Sequence, residues 1–133
     1  MKKSVAGIAL LVMALPAAAA LAQAPASCDL PRGKDVFQMC SACHALTAQE
    51  SRHEGPTLAG VIGRKAGSLP GFAYSADLRA AAWEWTPGLL DTFLAAPRKR
   101  VRGTTMMFPG LKDAADRAAV VCYVAEASAQ SKP

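Results

Sequence analysis

The sequence predicts a small all-α domain with few helices, long loops and a core too small to be stable on its own side chains. Three observations predict it. Helical apolar spacing occurs near both ends of the chain beyond residue 28, with capping residues in front of each run. Between these runs, residues 45–73 carry glycines at 55, 60, 63, 67 and 71 together with Pro56 and Pro70, which leave no uninterrupted helical stretch. About 110 residues remain once an N-terminal leader is set aside, which is one domain and a modest core.

The leader is read from its chemistry. Lys2 and Lys3 precede an uncharged apolar run from Val5 to Leu15 and an alanine-rich stretch to Ala22. This pattern is a secretory signal peptide over residues 1–22, followed by a domain over 23–133. Cleavage after Ala22 is preferred, because cleavage after Ala24 places Pro25 at the scissile bond. The apolar run is shorter than the ~20 residues of a span, so no permanent membrane anchor is expected. Pro25 stands three residues before Cys28, where a lipidated cysteine has an aliphatic residue, so lipidation is not expected. A bacterial-looking leader places the chain in the periplasm, an oxidising compartment. Removing the two leader lysines from the formal charge of +5 leaves +3, which is no footprint for nucleic acid.

Asp29 caps the first predicted helix, with Pro31 in its first turn, where a missing N–H costs nothing. Gly33 and Phe37 share a face, and a glycine inside a helix costs about 1 kcal/mol against alanine. Close approach of another helix is the expected reason. A short helix is expected over Leu78–Ala82. Thr86 caps the next, with Pro87 at its first position, an apolar face of Leu89, Leu90, Phe93 and Leu94, and Pro97 as its stop. A basic run from Arg98 to Arg102 and a mobile turn at Gly103 follow. The last helix starts at Asp113, with Asp116 at its third position, and runs to about Ala127. Val120, Tyr123, Val124 and Ala127 form its stripe, the natural partner of the Gly33/Phe37 face.

The first helix leads directly into Cys40-Ser41-Ala42-Cys43-His44, the spacing of a c-type haem attachment site. Residues i and i+3 lie on one side of a helical turn, so two thiols can meet the two vinyl groups on one porphyrin edge. The next imidazole then binds the iron as proximal ligand. A covalent haem also supplies the missing core and gives the long loop something to wrap. Within that loop, Gly55-Pro56-Thr57-Leu58 offers a carbonyl suited to accept the other ring N–H of a ligating histidine and fix its tautomer.

The sixth iron position has few candidates. His53 lies among Glu50, Ser51, Arg52 and Glu54 and reads as a solvated surface histidine. Met39 adjoins Cys40 on the proximal side. Met106 and Met107 remain, in a loop rich in Gly, Thr and Pro rather than on a helix stripe. A thioether favours Fe(II) and closes the site to oxygen and substrate, which points to electron transfer rather than to an enzyme.

The chain resembles the class I cytochromes c over nearly all of Asp29 to Ala127. The residues that carry the resemblance are the Cys40–His44 motif, Gly33, Phe37, Gly55-Pro56, Gly60-x-x-Gly63-Arg64-Lys65-x-Gly67, Pro70-Gly71-Phe72-x-Tyr74 and Trp85. Pro97-Arg98-Lys99, Gly103-Thr104-x-Met106-x-Phe108-x-Gly110 and Tyr123 complete it. The resemblance implies an all-α class I fold, with N- and C-terminal helices crossing and loops wrapped around one haem c. It implies His44 and Met106 as axial ligands and Pro56 as the carbonyl partner of His44. Arg64, Tyr74 and Trp85 match residues around a buried haem propionate, where a carboxylate needs donors and a cation.

Cys28 and Cys122 are not used by the haem. The helices that carry them are expected to cross near Gly33, so a bridge between them is open in an oxidising compartment, beside the alternative of two unpaired thiols. Arg98, Lys99, Arg100 and Arg102 precede the ligand loop and are expected to dock acidic patches on redox partners. The expected protein is thus a monomeric periplasmic carrier of single electrons. The alternatives are a haem module with a labile sixth ligand, distinguished by carbon monoxide binding, and a thiol-disulfide oxidoreductase, which needs a βαβ pattern that the sequence lacks.

Two departures from the family remove hydrogen-bonding groups from the interior. Phe93 stands where relatives often have a tyrosine near the ligand methionine, and Leu78 where they often have an asparagine. A perturbed reduction potential and an altered Fe–Met106 bond are expected. Phe93→Tyr should shift both the potential and the pH at which the iron–thioether absorption is lost; unchanged titrations refute the expectation.

Overall fold

The computed structural model describes residues 28–48 and 54–131. The leader and His53 lie outside the described residues. Five helices follow in order: α1 (Leu30–Ser41), α2 (Ala76–Arg79), α3 (Pro87–Ala95), α4 (Pro97–Arg100) and α5 (Ala114–Ala129). The described residues contain no strand, only one isolated bridge between Lys65 and Glu84. The architecture is all-α, as expected.

The two terminal helices start where their capping residues dictate. Asp29 Oδ1 accepts the Arg32 N–H at 3.0 Å, and Asp113 Oδ1 accepts that of Asp116 at 2.8 Å. Each bond satisfies one of the donors a helix N-terminus leaves open. That bond also holds the Asp113 carboxyl below its ordinary value. α1 buries Gly33, Val36 and Phe37, a stripe at i, i+3 and i+4. α5 buries Ala119, Val120, Val121, Val124 and Ser128. The buried surface is wider than the single stripe expected, because both α1 and α3 pack against α5. Tyr123 and Ala127 end up at its margin, half-buried.

α1 crosses α5 at Gly33. A β-carbon there would fall on Ala119 O and Tyr123 Cβ, so only glycine permits the approach. Beside it, the rings of Phe37 and Tyr123 meet with centroids 5.6 Å apart. Arg32 reaches Asp116 at 2.7 Å and Asp113 at 3.4 Å along the open side. These solvated pairs add little. A disulfide joins Cys28, just before α1, to Cys122 in α5, with the two Cα atoms 5.9 Å apart.

Two elements differ from expectation. The short helix lies at Ala76–Arg79, not at 78–82, because Ser75 Oγ accepts the Leu78 N–H at 3.3 Å and starts it earlier. Ala81 is then drawn into the core. α3 is capped by Thr86, whose Oγ1 accepts the Leu89 N–H at 3.2 Å, and it ends at Ala95. Pro97 ends that helix, yet it also opens α4, since a residue without N–H suits a first helical position. The turn at Gly103 is tied as well: its N–H is bonded to Asp77 Oδ2 at 2.7 Å.

The bridge spans a sequence separation of 94 residues, so its chain-entropy contribution is large. Reducing it, or replacing both Cys28 and Cys122 by serine, should lower unfolding stability by roughly 3–4 kcal/mol. Intact mass and thiol counting before and after reduction, followed by denaturant titration, check this.

Candidate cofactor site

α1 ends in the attachment motif. Cys40 O accepts the N–H groups of Cys43 at 3.0 Å and His44 at 2.9 Å, which turns the chain tightly after Ser41. Cys40 is half-buried and Cys43 exposed, and neither is in a disulfide. Burial, and then the neighbouring Cys43, push the Cys40 thiol up to about 11. It is therefore protonated at neutral pH.

His44 Nδ1 lies 2.7 Å from Pro56 O. A carbonyl can only accept, so Nδ1 carries the hydrogen and Nε2 the lone pair, the form a metal ligand needs. Gly55 makes this contact possible. A β-carbon on it would stand 2.7 Å from His44 Nδ1. The loop is registered on the motif by two backbone bonds, Gly55 N to Cys43 O and Leu58 N to Ala45 O, each 2.8 Å. Thr57 Oγ1 adds a bond to Thr47 O at 2.8 Å. The sequence singled out Pro56 but not the steric role of Gly55 or the hydroxyl of Thr57. The Gly-Pro pair was the available signal for the first, and no local pattern marks the second.

These residues open onto a cavity of about 290 Å³. Phe37, Val61, Leu90, Phe93, Leu94 and Val120 supply much of its apolar wall. Cys40, Cys43, His44, Pro56, Arg64, Tyr74, Trp85 and Met106 all line it too. The structure thus brings together every residue expected to hold the cofactor. Met39 and Met107 also line it, but Met39 is 53% and Met107 83% exposed. Cys28, Cys122, Arg98, Lys99, Arg100 and Arg102 lie outside it.

The polar side of the cavity is built on Arg64. Its guanidinium donates to Thr57 O at 2.8 Å and Ala59 O at 2.9 Å. Burial pulls its pKa below the ordinary value, so an anion beside it would restore what burial costs. Tyr74 is buried nearby, and burial pushes its phenol up, partly offset by Arg64 and the backbone of Leu69. Trp85 packs edge-on against Phe93, centroids 5.2 Å apart. Outside, Arg98 Nη2 donates to Met107 Sδ at 3.3 Å, and the Arg100 guanidinium stacks 4.7 Å from the Trp83 ring centre.

Residues 30–128 match the family described as Cytochrome c. The chain belongs to the cytochrome c family. Among its relatives, cytochrome c type-1 of Ascaris suum is 42% identical over 99 residues, covering 74% of this chain and 88% of that protein. Cytochrome c2 of Rhodomicrobium vannielii is 39% identical over 104 residues, covering 78% and 83%. The solved structure of cytochrome cH from Methylobacterium extorquens superposes with a TM-score of 0.68 at 37% identity, covering 74% of this chain and 98% of that one. A class I cytochrome c carries one covalently attached haem c and moves electrons. The cavity fits that group on its own chemistry: two unbridged thiols a helical turn apart, a histidine in the ligating tautomer, apolar walls and a buried cation.

Arg64 holds two loop carbonyls at once, a fork that lysine cannot reproduce. Arg64→Met should destabilise this cytochrome by about 2 kcal/mol in thermal denaturation, and Arg64→Lys should recover less than half of that loss.

Proposed function

We propose that this cytochrome c is a soluble periplasmic electron carrier in which His44 and Met106 ligate the haem iron and Cys40 and Cys43 hold the porphyrin as thioethers. The observation that carries the reading is the His44 Nδ1 to Pro56 O contact of 2.7 Å in a cavity that Met106 also lines. Haem c, when bound, supplies a one-electron Fe(III)/Fe(II) couple. The chain's own residues do the rest. Pro56 O fixes the tautomer and orientation of His44 and raises its basicity. Met106 would present an uncharged sulfur, which would favour the reduced state and leave no position for oxygen. Arg64, Tyr74 and Trp85 line the cavity and would surround a propionate with a cation and donors, lowering the cost of a buried carboxylate. The apolar walls exclude water, so a change of one charge reorganises little around it.

Export by the 1–22 leader supports the periplasmic assignment, and no described helix is long and apolar enough to cross a membrane. Arg98, Lys99, Arg100 and Arg102 form the docking surface for acidic partners. Lys99 and Arg102 are exposed, Arg98 borders the cavity mouth through Met107, and Arg100 is held on Trp83. We read the protein as a monomer that meets its partners transiently, with charge setting the on-rate.

Absorption spectra of the oxidised and reduced protein test the site. The expected result is a low-spin haem with iron–thioether absorption that Met106→Ala abolishes, together with a lower potential in that variant. Ready carbon monoxide binding by the reduced wild type would overturn the ligation. Rates of reduction by an acidic partner should fall as salt rises, and rates indifferent to ionic strength would overturn the docking assignment.

A further inference from the structure

The segment that delivers Met106 is fastened at both ends and thinly in between. At its start, Pro97 and Val101 are buried, and Val101 N–H donates to Pro97 O at 2.8 Å. At its end, Gly110 lies on the backbone of Ala95, and Leu111 N–H donates to Leu94 O at 2.8 Å. Within residues 102–109, Thr104 N–H turns back to Val101 O and Met106 N–H to Thr104 Oγ1. Besides the Arg98 Nη2 to Met107 Sδ bond from the neighbouring α4, one hydrogen bond among the described residues reaches 102–109 from a distant part of the chain. It runs from Gly103 N–H to Asp77 Oδ2, at 2.7 Å across 26 residues.

The geometry is specific at both partners. A β-carbon on Gly103 would stand 2.9 Å from Asp77 Oδ2 and 3.1 Å from its Cγ, so the carboxylate takes up the space that glycine leaves. A second contact joins the same two segments, the Arg100 guanidinium over Trp83. Between them lies a groove lined by Asp77, Ala80, Trp83, Lys99 and Arg102. The α2 segment therefore grips the ligand loop by polar contacts at the surface, three residues before Met106. Contacts of this kind exchange with water and open at lower free energy than a buried core.

We propose that Asp77 is a positioning residue for the sixth ligand: by accepting the Gly103 N–H it holds the 102–109 loop closed and keeps the Met106 thioether in the cavity. The inference rests on the assignment of Met106 as ligand. Asp77 does not line the cavity, and it acts through the loop.

The rate at which imidazole displaces the sixth ligand of the oxidised holoprotein reads loop opening directly. Asp77→Ala should raise that rate about fivefold, as expected for loss of one solvent-accessible, charge-assisted hydrogen bond. Asp77→Asn keeps an acceptor oxygen and should stay near the wild-type rate. Gly103→Ala, which pushes the carboxylate away, should mimic Asp77→Ala. Val121→Ala removes buried volume from α5 away from the cavity lining and should lower thermal stability without changing the imidazole rate, which separates positioning from general destabilisation. A wild type with iron–thioether absorption and an unaltered rate in Asp77→Ala overturns the role of Asp77 alone. A wild type without that absorption overturns both this role and the ligation on which it rests.

Discussion

At Gly33 the backbone of α1 lies on the backbone of α5, with Ala119 O and Tyr123 Cβ in the space of a side chain. That approach sets where the rest of α1 goes. Cys40 follows about two turns later, so the crossing decides where the thiols and His44 enter the cavity. Val120, buried at the crossing, and Val124 one turn on are cavity wall as well. One face of α5 thus serves as helix interface and as cofactor wall. A domain of this length has little apolar surface to divide between the two uses, and sharing it is how so small a core is completed by a prosthetic group.

The described part of the long loop between α1 and α2 pairs its polar backbone with distant groups. Gly60 N–H donates to Ser128 O at 3.0 Å, beside the fully buried Ser128 side chain. Gly63 and Ala66 donate to Trp85 O and Trp83 O at 2.8 and 2.9 Å, and Trp85 N–H returns to Arg64 O. The Arg64 fork takes the carbonyls of Thr57 and Ala59. Buried backbone must find partners whether or not it is helical. Here the partners are another extended segment, one helix end and one guanidinium. Arg64 therefore has two duties on our reading, with its donors holding the loop and its charge answering a propionate.

What the sequence made legible is what is local. Asp29, Thr86 and Asp113 cap their helices because a short polar side chain three residues before a free N–H needs no distant partner. Cys40, Cys43 and His44 could be read because covalent attachment fixes their spacing. Arg64, Tyr74 and Trp85 came from resemblance alone, since nothing in their neighbours says which cavity they share. The short helix expected over Leu78–Ala82 begins two residues earlier, at Ala76, because the Ser75 side chain caps the Leu78 N–H. Trp83 and Trp85 look equivalent in sequence, yet alternation along an extended segment sends Trp85 to the cavity and Trp83 under Arg100. The Asp77–Gly103 contact had no signal at all.

The two sides of the proposed haem site are held by different physics. His44 is fixed by a helix terminus, by Pro56 O and by an α1 that α5 grips through close packing and a disulfide. Met106 is carried by a loop whose middle is held by apolar contact of Met106 and Phe108 with the core and by the exposed bond to Asp77. Leu78 and Phe93 bear on this asymmetry. Both line the cavity, and neither has a donor to offer a sulfur. With no hydrogen bond available from either side chain, the proposed ligation by Met106 leans the more on where the loop holds the thioether. On our reading of Met106 as ligand, its lability depends on loop anchoring as well as on the pocket, and the anchors lie outside the pocket, at Asp77 and on the face of Trp83.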